Sequence, residues 1–544
     1  MANIYDKVPI KVQKKSGFDK SFQNLFTGKV GQIIPVMCDE VIPNTTVNLK
    51  VAMTTQLPPL ASDTFMRVKQ KYAAFFVPTR IIMPGFENWL TGNTLMDDAR
   101  SHVRTPLFRY SVDKYKAGCL ADYLGLKITK GVVPTTAKSI DINALPFLAY
   151  HRIYEDWFRN SLVQRSIYLT GAANGAPSYS VRVSNSYVPN DKVVTAYTIN
   201  DQSPLQTSDG SDIFADGVRL GDLRQANFGI DLFTSATPSP QNGEAQSVSF
   251  PTAVAGVNSS FTISALRAAN SMQQFLERNN LAGNRLVDYV RAQYGANLND
   301  AIAQRAVLLG SGAFDVYSKG IYQTNTQVEN ESVTPNNPFG SVGTRYGSAY
   351  ADGQDFIIKG FTAQEPGYIF VLTWLSPKVT YSTGIDPMLL RYRATASQSD
   401  MANPILQNVG NEPILRSMIS AQEILEDDEA VFGYNDRYFA WKDKQDELHG
   451  LLRDEESLES FALQRTFAGT GAVISSDFLR IPVNFLDQVS AVAGQISSFG
   501  YWCDTYLDYK VSMPLARYSV PSLQDPAYEH GEDIVVSRGG KQVQ

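Results

Sequence analysis

Cysteine and histidine are scarce in this chain of 544 residues, with only Cys38, Cys119 and Cys503 and only His102, His151, His449 and His530. An odd number of widely separated cysteines does not make a disulfide framework, and it suits a chain made in a reducing cytoplasm. No HExxH or CxxC spacing joins these residues, so neither a metal nor a cofactor is expected. G-x-S-x-G, Walker A and Rossmann glycine patterns are also missing, and the Gly-Gly-Lys at 539–541 lacks the neighbours that a phosphate loop needs. Long apolar runs are absent too. The longest, Tyr368–Leu375, falls far short of the roughly 20 residues that span a bilayer, and the first 30 residues hold no apolar stretch of the secretory kind. A net charge of −6 argues against a surface basic enough to coat nucleic acid everywhere, but it permits a local basic face.

Aromatics, glycine and proline are plentiful: 28 Phe, 27 Tyr, 5 Trp, 38 Gly and 27 Pro favour short strands and many turns over helical bundles. The central strand is expected at Met66–Val77. There Met66, Val68, Tyr72, Ala74 and Phe76 take one face and Arg67, Lys69 and Lys71 the other, which is the period of a half-buried strand with a wet basic side. Pro78 and Pro84-Gly85 then turn the chain out of the sheet toward Phe86, Trp89 and Leu90. Two further strands are expected within 31–43 and 44–54, the second alternating Val47, Leu49, Val51 and Met53 against Asn48 and Lys50. Residues 143–160 read as an amphipathic helix with Pro146 in its first turn. A polar stretch at 170–226 reads as a surface insertion, and 262–295 as a helical insertion of two helices closed by Gly295.

Residues 1–30 form a basic arm. Lys7, Lys11, Lys14, Lys15, Lys20 and Lys29 against Asp6 and Asp19 leave a local charge of +4 in an otherwise acidic chain. Such an arm can lie on nucleic-acid phosphates, or it can be a solvated terminus. Two acidic clusters, Glu423 with Glu426–Glu429 and Asp454–Glu456 with Glu459, admit sugar hydrolysis or calcium binding if their oxygens converge. Runs of like charge ordinarily point into water instead.

Several of these stretches together resemble one family. The segment FFVPTRIIMPGFENWLTG at 75–92, NALPFLAYHRIYEDWFRN at 143–160, FGIDLFTSATPSPQNG at 228–243 and the two-helix block at 262–295 fall in the order found in Microviridae major capsid proteins. These proteins belong to small tailless phages with single-stranded DNA, and the likeness is to the gokushovirus-like branch. The segments at 361–386, 429–438 and 506–523 extend the resemblance to the whole chain, with Ala516 and Ser519 departing from the family's small-residue pattern.

The resemblance implies a mainly β fold: a single eight-stranded antiparallel jelly roll with long inter-strand insertions containing helices. It implies no enzyme activity and no cofactor. The implied partners are other copies of the chain, as pentamers forming a T=1 shell of sixty, the circular single-stranded DNA genome, a small basic packaging protein, a minor pilot or spike protein and a host receptor. The implied location is the virion, assembled in the bacterial cytoplasm. Candidate DNA-facing residues are Lys7, Lys11, Lys14, Lys15, Lys20, Arg67, Lys69 and Lys71, and candidate interface anchors are Trp89, Trp441 and Trp502. Surface aromatics with acidic clusters also suit a jelly-roll carbohydrate binder or glycosidase, which stands as the alternative.

Overall fold

The computed structural model describes residues 15–61, 64–83, 107–111, 116–127, 139–167, 169–171, 177–179, 205–206, 220–241, 263–283, 285–299, 304–323, 345–390, 402–426, 430–454, 456–467, 471–491 and 494–517, together with Phe86, Leu90 and Val218. Nine of its strands join one sheet: β1 (Ser16–Asp19), β2 (Phe22–Gly28), β3 (Ile34–Val41), β4 (Thr46–Gln56), β5 (Val68–Pro78), β6 (Val307–Gln323), β7 (Arg345–Thr362), β8 (Gly367–Pro377) and β9 (Tyr501–Met513). Their order is β1-β9-β4-β7-β6-β5-β8-β3, and β2 also pairs with β9. Every ladder is antiparallel.

Nine strands therefore occupy eight lateral positions. Residues 16–28, within the stretch read as an arm, form two strands rather than one, because Asp19 turns back to accept the Ser21 amide at 3.0 Å and the Ser21 hydroxyl at 2.5 Å. Beyond this break β2 takes Tyr501–Leu507 of β9, while β1 takes Lys510–Met513. The result is a mainly β, curled antiparallel sheet of the kind a jelly-roll capsid chain contains.

The curl comes from β6 and β7, which change partners along their length. Val307–Val316 of β6 pair with β5 and Tyr317–Gln323 with β7; β7 in turn leaves β6 at Tyr350 and continues on β4 to Thr362. The two halves thus face each other around one core. Val47, Leu49 and Val51 of β4 and Ile369–Val371 of β8 are fully buried in it. Each such side chain contributes about 1.5–3 kcal/mol on leaving water. The edge strands β2 and β3 meet through side chains rather than a ladder: Asn24 Nδ2 donates to the Val36 carbonyl at 2.7 Å.

Alternation on β5 holds only as far as Tyr72. Arg67 and Lys69 are exposed and Lys71 is half-buried, but from Ala73 to Pro78 both faces are covered. The cover is helix α1 (Leu145–Ile153), which begins with Pro146 in its first turn and ends in a single π turn at Tyr154–Phe158. That turn seats Trp157 and Phe158 against Phe75, with ring centroids 5.9 and 6.1 Å apart, and the indole N–H reaches the Ala306 carbonyl at 2.8 Å. The helical insertion is α2 (Ile263–Ala282) and α3 (Leu286–Tyr294), with Gly295 closing α3 in the left-handed conformation at φ 65°.

Later insertions build a second core of their own, in which Phe233, Ile419, Phe432, Phe478 and Leu479 pack together. Arg465 crosses its margin, lying 3.9 Å over the Phe478 ring and 4.7 Å over Phe228. Its guanidinium meets Tyr381 Oη at 3.5 Å, and that hydroxyl donates to Asp231 at 3.0 Å.

Gly310 sits at the register shift of β6, where a Cβ would overlap the Ile357 carbonyl of β7. The obstacle is backbone and cannot swing aside. Gly310→Val is expected to destabilise the subunit by about 3 kcal/mol, the upper end of ordinary overpacking costs. Denaturant unfolding checks this, and a midpoint equal to that of the parent would refute the close-approach account.

Candidate nucleic-acid and subunit interfaces

The basic candidates are dispersed rather than gathered. Lys7, Lys11 and Lys14 lie outside the described residues, as does Trp89. Lys15 is exposed and donates to Thr46 Oγ1 at 3.3 Å. Lys20 is bound within the fold: its ammonium pairs with Asp39 at 2.5 Å and lies 5.4 Å over the Tyr509 ring, whose hydroxyl donates to the same carboxylate. On β5, Lys69 stands 3.8 Å from Asp315, an exposed pair of the weak kind. Burial first, and the neighbouring Lys69 second, hold the Lys71 ammonium below its usual pKa.

Lys20 and Lys69 also stand at opposite ends of one strand. Asp39, the partner of Lys20, pairs with Ile369 of β8, whereas Lys69 pairs with Ser376. Seven residues separate those positions, about 23 Å of strand. The sheet therefore does not merge these lysines into a single patch.

Both described anchor candidates reach solvent. Trp441 is 51% exposed and Trp502 is 42% exposed, the latter with its indole N–H on Gln56 Oε1 at 2.7 Å. Trp502, Tyr506 and Leu25 are neighbours on the outer face of β9 and β2, interleaved with the exposed Asp504. The strand alternation of Tyr501–Met513 carried the signal for this face, since every second residue from Trp502 to Lys510 is polar or aromatic.

The acidic clusters separate. Glu423 is buried and accepts the amides of Gly471 and Ala472, so it organises a loop instead of pointing outward as a solvated run would. Asp427, Asp428, Glu429 and Glu455 lie outside the described residues, while Glu456 and Glu459 are exposed. Among the described residues no group of three His, Cys, Asp or Glu side chains could hold a metal ion. No described helix is long and apolar enough to cross a membrane. The three cysteines are free thiols.

A groove of about 700 Å³ opens beside the second core, with Phe233, Tyr381 and Met418 at its floor and Asp386, Asp443 and Glu447 on its rim. Apolar residues of α2 and α3 are also uncovered; Leu266, Leu286 and Tyr294 are all more than half exposed. The helical spacing of these residues was visible in the sequence, but which neighbour they face was not.

One polar cluster is fully enclosed. Arg224 Nε donates to His151 Nδ1 at 2.9 Å, which assigns the proton of the neutral ring to Nε2, 2.9 Å from the Leu220 carbonyl. The Arg224 amide donates to Tyr150 Oη at 2.9 Å, and that hydroxyl donates to the Ile33 carbonyl at 2.7 Å. Burial, and then the adjacent guanidinium, drive the His151 pKa well below its ordinary value. This cluster ties α1 to the sheet and is closed to any substrate.

The curled, mainly β antiparallel sheet is consistent with the jelly-roll class of viral capsid proteins. The chain belongs to the capsid protein (F protein) family, whose model matches residues 7–523. It is 25% identical to the capsid protein VP1 of Chlamydia phage 1 over 96% of this chain and 98% of the relative. Identity to the capsid proteins VP1 of Bdellovibrio phage phiMH2K and Spiroplasma virus 4 is 24% and 23%, over 95% and 91% of this chain and 97% and 93% of those relatives.

His151 gives the subunit a pH dependence of definite sign. Its folded-state pKa is depressed, so its contribution is intact above the unfolded value of about 6.5 and is lost as pH falls below it, at up to about 1.4 kcal/mol per pH unit. Between pH 7.5 and 5.5 the unfolding free energy of the parent should therefore drop about 1.4 kcal/mol further than that of His151→Gln. Parallel pH profiles for the two proteins would contradict the assignment.

Proposed function

We propose that this chain is the major capsid protein of a small single-stranded DNA phage, and that sixty copies self-assemble through pentamers into a T=1 shell around circular DNA. The observation that carries this reading is the family match, which runs over nearly the whole chain and so includes the insertions as well as the sheet. The work is structural rather than enzymatic: complementary surfaces exclude water when copies meet, with exposed aromatics such as Trp441 and Trp502 as candidate anchors. The protein resides in the virion, after assembly in the host cytoplasm. Host attachment falls to the insertion that begins at residue 170, without its last part, since Leu220, Arg224 and Ala226 are buried beside α1; a small basic packaging protein and a minor pilot or spike protein complete the particle.

DNA contact falls to the arm ahead of β1. Lys20 and Lys69 already have carboxylate partners, whereas the arm's lysines at 7, 11 and 14 precede the sheet. Packaging that tolerates any sequence needs backbone charge and base stacking rather than base-edge readout. Lys15, Arg67 and Lys71 are secondary candidates for the same role.

Electron microscopy and light scattering of the purified protein test assembly. Uniform hollow particles about 25–30 nm across are expected for sixty subunits of this size packed at interior density around a cavity. A chain that stays monomeric under every assembly condition would overturn the reading. Deleting residues 2–14 leaves β1 intact and should lower the DNA content of particles relative to the parent, most strongly at low salt, where the lost phosphate contacts contribute most. Full genome content at all salt concentrations would remove the arm from this role.

A further inference from the structure

The helical insertion is attached to its own chain by polar bonds and leaves its apolar side chains outside. Asn280 is the only fully buried residue of α2, and its amide donates to Thr237 Oγ1 at 3.3 Å. Gln273 bonds Glu277 at 2.8 Å and also bonds Gln241. Arg285, between the helices, donates to the carbonyls of Glu155 and Arg159 at 3.1 and 2.7 Å. These contacts fix the base of the hairpin. Ile263 and Leu266 in the first turns of α2, Leu281 at its end, and Leu286 and Tyr294 on α3 remain 53–72% exposed. So large a set of uncovered apolar side chains on one protruding element marks an interaction site.

A second unsatisfied surface lies elsewhere on the same chain, and its chemistry is the complement. The groove beside the second core has an aromatic and thioether floor, and Met388 and Leu389 at its lip are each 62% exposed. The groove is lined by Asp386, Asp443, Asp446 and Glu447 against Lys444 and Arg453, a local charge of −2, with Lys444 bridging Asp386 and Glu447. The hairpin at 263–294 holds Arg267, Arg278, Arg285 and Arg291 against Glu277 and Asp288, a local charge of +2. Arg267, Arg278 and Arg291 are exposed, as are Asp443 and Glu447.

We propose that the α2–α3 hairpin of one copy seats in the acid-rimmed groove of the next copy. The pairing is head-to-tail: each chain offers the hairpin at one place and the groove at another, so the contact propagates from copy to copy and closes where the rotation permits. Apolar residues of the hairpin cover Met388, Leu389 and the groove floor, while its arginines face the carboxylates of the rim. Burial supplies the attraction and charge fixes the register and the partner. This proposal rests on the capsid reading, since it needs neighbouring copies.

Charge reversal tests it. Arg267→Glu with Arg291→Glu should lower particle yield at least tenfold while leaving the thermal midpoint of the unassembled subunit unchanged. Asp443→Lys with Glu447→Lys should do the same, and the four substitutions together should restore yield to within about threefold of the parent. A cross-link gives a measurement that does not depend on tolerance of reversed charge: particles co-assembled from Leu266→Cys and Leu389→Cys chains should yield oxidised dimers that neither variant forms alone. Parent particles with unaffected reversal variants, or with no specific cross-link, would overturn the hairpin contact and leave the capsid reading standing. A parent chain that never assembles would overturn both.

Discussion

The partner exchange of β6 and β7 is the constraint on which the rest of the molecule depends. Two long strands each serve two neighbours, and that sharing bends a nine-stranded ladder into facing halves. Only then can β4 and β8 bury their apolar sides against a common interior, and only then do β2 and β3 come within side-chain reach. The bend needs close passage of backbones, and glycine at 310 permits it. The helix behind β5, the Arg224–His151 cluster and the Trp157 contact then fasten an insertion to the outside of a sheet that already has its shape.

The insertions follow a different rule. They hold to the sheet through directed polar bonds and through a separate aromatic core around Phe432 and Phe478, whereas much of their apolar surface stays uncovered. A chain built this way has its largest core in the sheet and leaves apolar side chains of its insertions exposed.

Legibility in the sequence followed periodicity. β4 was plain because Val47, Leu49, Val51 and Met53 alternate without interruption, and α3 was plain because Gly295 marks its end. The two longest strands were not. Val307–Gln323 carries Gly310 and Gly312 inside it, and the start of Arg345–Thr362 lies in a passage rich in Gly and Ser, because tight inter-strand approach demands residues that composition assigns to turns. The split of the first strand was equally hidden, since it depends on one Asp19–Ser21 turn. Of the candidate site residues, the individual exposure of Trp441 and Trp502 agrees with a surface role, but the ion pairs that occupy Lys20 and Lys69 involve partners 19 and 246 residues away. Pairing at such range is set by the fold and leaves no local pattern to read.

The pairing of β1 with β9 joins Ser16 to Met513, and β4 beside them joins Thr46 to Ser512. Those partners lie 497 and 466 residues apart along the chain. The sheet therefore lacks this strand until Tyr501–Met513 has emerged, and a product that stops short of it keeps β4 open along a bare edge. Synthesis of β9 thus becomes a physical condition for a closed sheet, whatever else of the chain has already folded.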